Sequence, residues 1–346
     1  MDAYKPKINL RRMVFLIVLA ITLMAVAGWF LARENFYQMF EAIKSANGLL
    51  IAAAIAINFL SVAAWAGRWQ TALSFINCKV SFGTRYLILY ATVFLNNITP
   101  GVRVGGDPFG RAYMVHRLEN TSYSSGLASI IGEFALVPLI VVSFLMAGLV
   151  LQYGKESFQL SFILIAVWAL AALGIVFLPR LFFKKRIAIK GVSSITNRIL
   201  GWFGKRRNIR EAVKGITAFY SSTYTMMDER KKILLMGGWS LFIGAFDVLQ
   251  LYVIFMALGY YPTLPVLLIA APLPIIAGLI PLLPGGLIIV EGSLISVLAF
   301  LGVPLPLALA ATVIQRAISF ALNTIVGAGV FSYLGVRMAA KPKVQS

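Results

Sequence analysis

An interrupted apolar stretch near the C-terminal end limits the possible folds of this chain more than any other feature. Residues 279–291 read LIPLLPGGLIIVE, which would suit a membrane helix except for Pro281, Pro284, Gly285 and Gly286. A continuous helix does not tolerate this combination of prolines and glycines. Lipid cannot satisfy the freed N–H and C=O groups, so broken backbone in such a setting must be buried in protein or face a water-filled cavity.

A second stretch, residues 96–107, has a similar design and reads NNITPGVRVGGD. The residues that break this stretch are Pro100, Gly101, Gly105 and Gly106. The carboxylate of Asp107 closes it. The same offset of 184 positions relates Pro100 to Pro284 and Asp107 to Glu291. The two stretches therefore resemble a duplicated unit.

The composition indicates that these broken stretches lie within a membrane. The chain is 60% hydrophobic and only 12% charged, whereas soluble domains carry about 25% charged residues. We expect a single membrane domain over residues 1–346. Cys78 is the only cysteine and His116 the only histidine, so we expect no cysteine-rich or histidine-rich metal site and no cofactor.

The apolar runs predict an all-α polytopic protein with six full spans and two broken, re-entrant helix pairs. The predicted spans are Met13–Leu31, Leu49–Ala66, Ser124–Leu151, Ser161–Leu178, Ile233–Leu258 and Pro306–Tyr333. The predicted arms of the broken pairs are Tyr86–Ile98, ahead of the first break, and Leu264–Ile280 and Leu287–Phe300 around the second. This scheme places Arg68 in a cytoplasmic loop.

Basic residues predict the orientation of the chain. Residues 179–232 hold 14 Lys and Arg against three acidic residues, which marks a cytoplasmic segment of a cytoplasmic-membrane protein. The basic N-terminus and C-terminus are then cytoplasmic too. Apolar and aromatic residues recur at helical spacing within 179–232, typical of amphipathic helices on the inner leaflet. The net charge of +19 thus favours anionic lipid headgroups over nucleic acid.

With this orientation, residues 13–151 and 160–334 form an inverted-topology repeat. Such repeats place a substrate site where the broken elements meet near the middle of the membrane. The alternative is a chance similarity between two Pro-Gly breaks.

Four charged residues fall inside predicted membrane segments, namely Glu133, Asp247, Glu291 and Arg316. An offset of 183 positions relates Glu133 to Arg316. Charges at this depth are costly and persist where they pair or line a polar pathway. Two interpretations are open: a Glu133–Arg316 ion pair that locks the halves together, or a polar cavity where Arg316 meets an anionic headgroup. Asp247 either belongs to that cavity or pairs with Gln250 or a backbone group.

Polar residues around the first break are further candidates for substrate binding. Arg103 and Arg111 could bind phosphate through their paired donors, or simply anchor the protein to the inner leaflet. Asp107 could contact these arginines or a substrate cation, or cap a helix that starts at Pro108. Asn96 and Asn97 could line a polar path or cap the preceding helix. The paired glycines of both breaks free N–H groups that attract anions.

The chain contains no recognisable nucleophile–base–acid set, no metal-ligand spacing and no phosphate-binding loop. We therefore expect a non-enzymatic membrane protein. An enzyme acting on lipid phosphates would have only Asp107 and His116 at the headgroup level. A scaffold for a lipid-modifying partner, docking on residues 179–232, is the third possibility.

The order of these motifs resembles a known family. The residues that carry the resemblance are TPGVRVGGDP at 99–108, RAY at 111–113, Glu133, PGGL at 284–287, Glu291 and Arg316. They are similar to the lysylphosphatidylglycerol synthase transmembrane region, the flippase-like domain family also called UPF0104 or YbhN-type. The resemblance covers nearly the whole chain. It implies an inner-membrane protein that moves lipids between leaflets, including aminoacylated phosphatidylglycerol or lipid-linked glycans.

Three positions depart from the family pattern. Asp107 stands where Glu is usual, Phe134 where Arg is usual, and Ile288 where a third Gly is common. The last two affect the expected ion pairing and loop flexibility. The aminoacyl-transferase domain of the bifunctional synthases is not found in these residues, so we expect no lysyl transfer by this chain alone.

Overall fold

The fold was analysed in a computed structural model that describes residues 33–99, 106–134, 137–154, 159, 161–169, 229–278 and 284–340. These residues form helices and connecting turns, and no β-strand occurs among them. The prediction of an all-helical protein is confirmed for this part of the chain. The predicted span at 13–31, most of the basic segment 179–232 and part of the predicted span at 161–178 lie outside it.

The helices are numbered in chain order within the described residues. They are α1 (Arg33–Lys44), α2 (Gly48–Ser74), α3 (Phe82–Ile98), α4 (Phe109–Glu119), α5 (Tyr123–Phe134), α6 (Val137–Tyr153), α7 (Arg230–Ala257), α8 (Leu264–Ala270), α9 (Leu273–Ala277), α10 (Ile289–Phe300), α11 (Leu305–Arg316) and α12 (Asn323–Ala340). A 3₁₀ turn covers Pro284–Gly286, and a π-helical turn over Ala317–Leu322 joins α11 to α12.

Four helical stretches of the described chain are long and apolar enough to cross a membrane. They are Gly48–Ser74, Tyr123–Tyr153, Lys231–Ala257 and Leu305–Ala340. The stretches Leu264–Ala277 and Ile289–Phe300 are apolar but shorter. These lengths support a multi-span membrane protein, while the total of six spans stays a prediction.

Helix α2 extends eight residues beyond its predicted end at Ala66. It begins after Asn47, whose side-chain oxygen accepts hydrogen bonds from the N–H groups of Leu49 and Leu50, an effective N-cap. The additional turns carry Arg68, which is buried. The assignment of Arg68 to a cytoplasmic loop is therefore wrong: the apolar run ends at Ala66, but nothing in the sequence breaks the helix there.

The described helices pack around two apolar cores, and both cores include residues of α2 and α7. One contains Trp69, Leu89 and Ile130 from α2, α3 and α5. The other contains Ile254 and Leu298 among the residues of α7, α8, α10 and α11. Each core thus draws mainly on one half of the chain.

In two further contacts, a helix of the first half packs on a helix of the second half. Helix α3 packs on α12, and α8 packs on α6. Small residues allow close approach in both places. A Cβ on Gly327 would clash with the Tyr90 carbonyl, and one on Gly148 would lie 2.6 Å from Cγ1 of Ile269.

Candidate functional site

The first break closes on the side chain of Asn96. Its amide oxygen accepts hydrogen bonds from the N–H groups of Gly106, at 3.1 Å, and Asp107, at 2.9 Å. A Cβ on Gly106 would collide with the Thr92 carbonyl, so this close approach requires glycine. Asn96 therefore holds the returning chain against the end of α3, and it does not merely cap that helix.

Asp107 binds side chains and does not cap α4. The N-cap residue is Pro108, without a side-chain cap bond, and the helix begins at Phe109. The Asp107 carboxylate instead accepts hydrogen bonds from Arg111, at 3.2 Å, and from Asn96, at 3.4 Å. The predicted helix-cap role of Asp107 is therefore wrong, because Arg111 lies one turn away and draws the carboxylate to it.

Glu133 lies at the centre of a buried ion-pair cluster. Its Oε1 accepts hydrogen bonds from the Arg68 Nε at 2.8 Å and from the Trp65 indole at 2.6 Å. Its Oε2 accepts one from the Arg111 guanidinium. The Glu133 and Arg111 side chains are fully buried. Two arginines thus neutralise Glu133 and Asp107 together, as burial in an apolar interior demands.

The Arg111 guanidinium also lies over two aromatic rings. It lies 4.3 Å from the Trp69 ring centroid and 5.4 Å from that of Trp65, within the range of cation–π attraction. Arg68 and both tryptophans come from α2, and sequence reasoning missed all three. The available signal was their spacing at 65, 68 and 69, one helical face continuing from Ser61.

The second break is a tight turn that uses left-handed backbone conformations. Gly285 and Gly286 have φ values of 63° and 69°, which glycine adopts without strain. A Cβ on Gly285 would also clash with the Phe320 ring. Ile288 has φ 73°, an unusual value for a β-branched residue. A glycine at this position would adopt the same φ without strain.

Arg316 connects the span α11 to this turn. Its Nε donates a hydrogen bond to Glu291 Oε1 at 2.5 Å, and its Nη2 donates one to the Gly285 carbonyl at 3.1 Å. Its guanidinium lies 4.9 Å from the Phe320 ring centroid. The Arg316 and Glu291 side chains keep 15% and 13% of their surface exposed. Glu291 Oε2 is buried and has no hydrogen-bond partner among the described residues.

The predicted Glu133–Arg316 ion pair is wrong. Glu133 pairs with Arg68 and Arg111 in one cluster, and Arg316 pairs with Glu291 in another. The sequence offset related Glu133 to Arg316, but the two side chains form ion pairs in different clusters. In each half the charge on the span following the break is linked to the carboxylate that closes the break.

Amide side chains join the two halves beside these clusters. Asn58 and Asn323 exchange reciprocal hydrogen bonds at 2.8 and 3.2 Å, and both are buried. Asn97 Nδ2 donates a hydrogen bond to the Thr324 hydroxyl at 2.9 Å. Helix α3 also contacts the turn at Pro284–Gly286. The arm of the first break therefore lies against the second break.

Asp247 forms no ion pair with either cluster. Its Oδ1 accepts a hydrogen bond from the Ser61 hydroxyl at 3.5 Å. Gln250 instead donates to the Ala54 carbonyl, so the predicted Asp247–Gln250 pair is wrong. The two residues are three positions apart on α7, and Gln250 lies against the backbone of α2.

The remaining candidate residues are those of the first break that lie outside the described part of the chain, and His116. Arg103, Pro100, Gly101 and Gly105 lie outside the described residues. The Nδ1 atom of His116 lies 2.6 Å from the carbonyl oxygen of Thr121. Asp107 precedes α4, whereas His116 lies in the last turn of that helix, so the two candidate bases for an enzyme acting on lipid phosphates lie apart.

Comparison with known proteins identifies the family. The model of the lysylphosphatidylglycerol synthase TM region matches residues 16–327. A UPF0104 membrane protein of Methanothermobacter thermautotrophicus is 28% identical over 349 aligned residues, covering 95% of each chain. One of Pyrococcus horikoshii is 27% identical, covering 90% of this chain and 94% of its own. Because the family match spans most of its length, this membrane protein belongs to the family of the lysylphosphatidylglycerol synthase transmembrane region.

Proposed function

We propose that the protein moves a lipid with an anionic headgroup between the two leaflets of the cytoplasmic membrane. The observation that carries the proposal is the Arg316–Glu291 pair, which is held against a broken helix inside an apolar segment. Broken backbone at membrane depth lines cavities in transporters. The family name, which refers to a synthase of a phospholipid, supports a lipid as the substrate class.

An inverted repeat is the architecture that we infer for this transport. Several helix contacts in the first half have an equivalent in the second. The contact of α4 with α5 corresponds to that of α10 with α11, and α2–α5 corresponds to α7–α11. The two contacts between the halves, α3–α12 and α8–α6, also correspond to each other. Such internal symmetry supports two conformations in which each half takes the role of the other.

The two charged clusters differ in accessibility, and we assign headgroup binding to the second. Arg111 and Glu133 are fully buried and paired, so this cluster holds the first half together. Arg316 and Glu291 are partly exposed, and the Arg316 Nη1 donates to no described residue. An arriving phosphate can take this donor and compete with Glu291 for the Nε, as the planar guanidinium favours paired contacts to oxyanions.

The proposal is tested with purified protein in vesicles that contain phosphatidylglycerol labelled on an acyl chain with a fluorophore. Dithionite bleaches the label in the outer leaflet, and the bleaching of the remainder measures transport. We expect Arg316→Ala to slow transport by about tenfold or more, corresponding to about 1.4 kcal/mol of lost stabilisation.

The matched control is Lys44→Ala, which removes an exposed ion pair with Glu41 on α1. This variant should transport lipid at the wild-type rate. Wild-type transport by Arg316→Ala would show that the headgroup does not bind there. Equal transport by vesicles with and without the wild-type protein would refute the function itself.

A further inference from the structure

Asp247 is the membrane-embedded acid that neither charged cluster uses. It lies in the interior of α7, ten positions before the end of the helix at Ala257, about 15 Å at 1.5 Å per residue. Among the described residues, its hydrogen bonding is limited to Ser61 Oγ at 3.5 Å, the outer limit of such a bond. Glu133 and Glu291 each accept hydrogen bonds from arginine, whereas no described cation forms an ion pair with Asp247.

One side of Asp247 borders a small pocket with apolar neighbours. The pocket lies between α6, α7 and the turn from α8 to α9, and it includes Val141, Phe144, Val248 and Ile275. Gly244 allows α6 to approach closely here, because a Cβ would lie 2.6 Å from the Phe144 ring. Asp247 is half-buried, and nothing in these walls can replace the water that an ionised carboxylate loses when it enters an apolar setting.

The ionisable groups on the surrounding helices are already engaged. Arg68 on α2 donates to Glu133 and to the Ser240 hydroxyl. Arg316 on α11 donates to Glu291 and to the Gly285 carbonyl. Helices α6 and α8 contain no Asp, Glu, Lys, Arg or His. No described residue therefore forms an ion pair with Asp247, and the charge of Arg68 attracts it only from beyond ion-pair distance.

We propose that Asp247 is a proton-binding site within the membrane. An isolated carboxylate in an apolar environment is so costly that the group takes up a proton instead. Water supplies the proton, which bonds to a carboxylate oxygen, and the neutral acid then lies against Ser61 and the apolar pocket. Release of the proton to water restores the charge. The site therefore adds a second ligand, a proton, to a protein whose proposed substrate is a lipid.

Infrared spectroscopy of the purified full-length protein tests this directly, without any transported lipid. The carbonyl band of neutral carboxylic acids is recorded across a pH series for the wild type, Asp247→Asn and Glu291→Gln. We expect the wild type to show a band that disappears at alkaline pH and is absent from Asp247→Asn. Glu291→Gln should retain the band, because Glu291 is paired with Arg316.

Ser61→Ala keeps the carboxyl group and should therefore keep the band, even where Asp247→Asn fails to fold. Absence of the band from both the wild type and Ser61→Ala would overturn the proposal. So would a band of equal intensity in a folded Asp247→Asn protein. Because no lipid is transported, a negative result here leaves the transport assay with Arg316→Ala unaffected.

Discussion

Opposite charges stand at two positions, Glu133 and Arg316, that the sequence relates by an offset of 183. Glu133 follows the first break and Arg316 follows the second. A carboxylate closes each break, so the second half forms a direct pair between Arg316 and Glu291. In the first half both equivalent groups are acidic, and Arg111 bridges them. Arg111 thus supplies the positive charge that the two carboxylates of the first cluster need.

Glu133→Gln is expected to destabilise the protein strongly. The change leaves Arg68 and Arg111 in the interior without their main countercharge, and breaking a buried pair costs about 3–5 kcal/mol. The free energy of unfolding, measured by denaturant titration in mixed micelles, checks this. Glu41→Gln, which removes an exposed pair with Lys44, is the control and should cost less than about 1 kcal/mol.

A loss for Glu133→Gln no larger than that for Glu41→Gln would contradict the structural role of the first cluster. Headgroup binding would then have to be considered at the first cluster as well, since that cluster would not be needed to hold its half of the protein together.

Helix α2 connects the charged and polar sites of the molecule. Asn58 binds Asn323, Ser61 binds Asp247, and Arg68 binds Glu133. These residues are three to ten positions apart and follow one face of the helix. A single helix thus reaches the contact between the halves, the isolated acid and the first cluster.

The interrupted helices could be predicted from the sequence, because proline and glycine act locally. Pro284 and Gly285 identify a turn without any tertiary information. The partners of the charges could not be predicted in this way. Arg68 lies outside the apolar run by hydropathy, and its burial depends on Glu133, 65 positions later. The 183-position offset linked Glu133 to Arg316 by symmetry, yet each found a partner within its own half.

Gly327→Ala is expected to disturb the contact between α12 and α3. The added methyl group would meet the Tyr90 carbonyl and lie 2.7 Å from the Phe94 Cβ. Overpacking of this kind costs about 1–3 kcal/mol, measured as a fall in the free energy of unfolding.

Gly329 provides the control within the same helix, since a Cβ there has no neighbour within 4 Å. Gly329→Ala should be neutral or stabilise the protein by up to about 1 kcal/mol, because alanine favours the helix. Equal effects of the two substitutions would show that close packing at Gly327 does not hold α12 against α3.

At the level of the whole molecule, the basic segments predict which side of the membrane each loop faces. The turn between α7 and α8 is uncharged and should face outward, opposite to residues 179–232. Tyr261 in this turn is 67% exposed, so a reporter placed there is accessible.

Tyr261→Cys in a Cys78→Ser background is expected to react with a membrane-impermeant maleimide added to intact cells. Ser346→Cys, on the predicted cytoplasmic side, should react only after the membrane is permeabilised. The reverse pattern would place the termini outside and exclude the proposed orientation.

The reciprocal bonds between Asn58 and Asn323 have a mechanical consequence. Paired amides in a dry interior tolerate little separation, because each loses its partner within a fraction of an ångström. When two bodies rotate against each other, displacement grows with distance from the axis. A rocking motion that preserves this pair must therefore turn about a line close to it, and the parts of the molecule that lie farthest from the pair move the most.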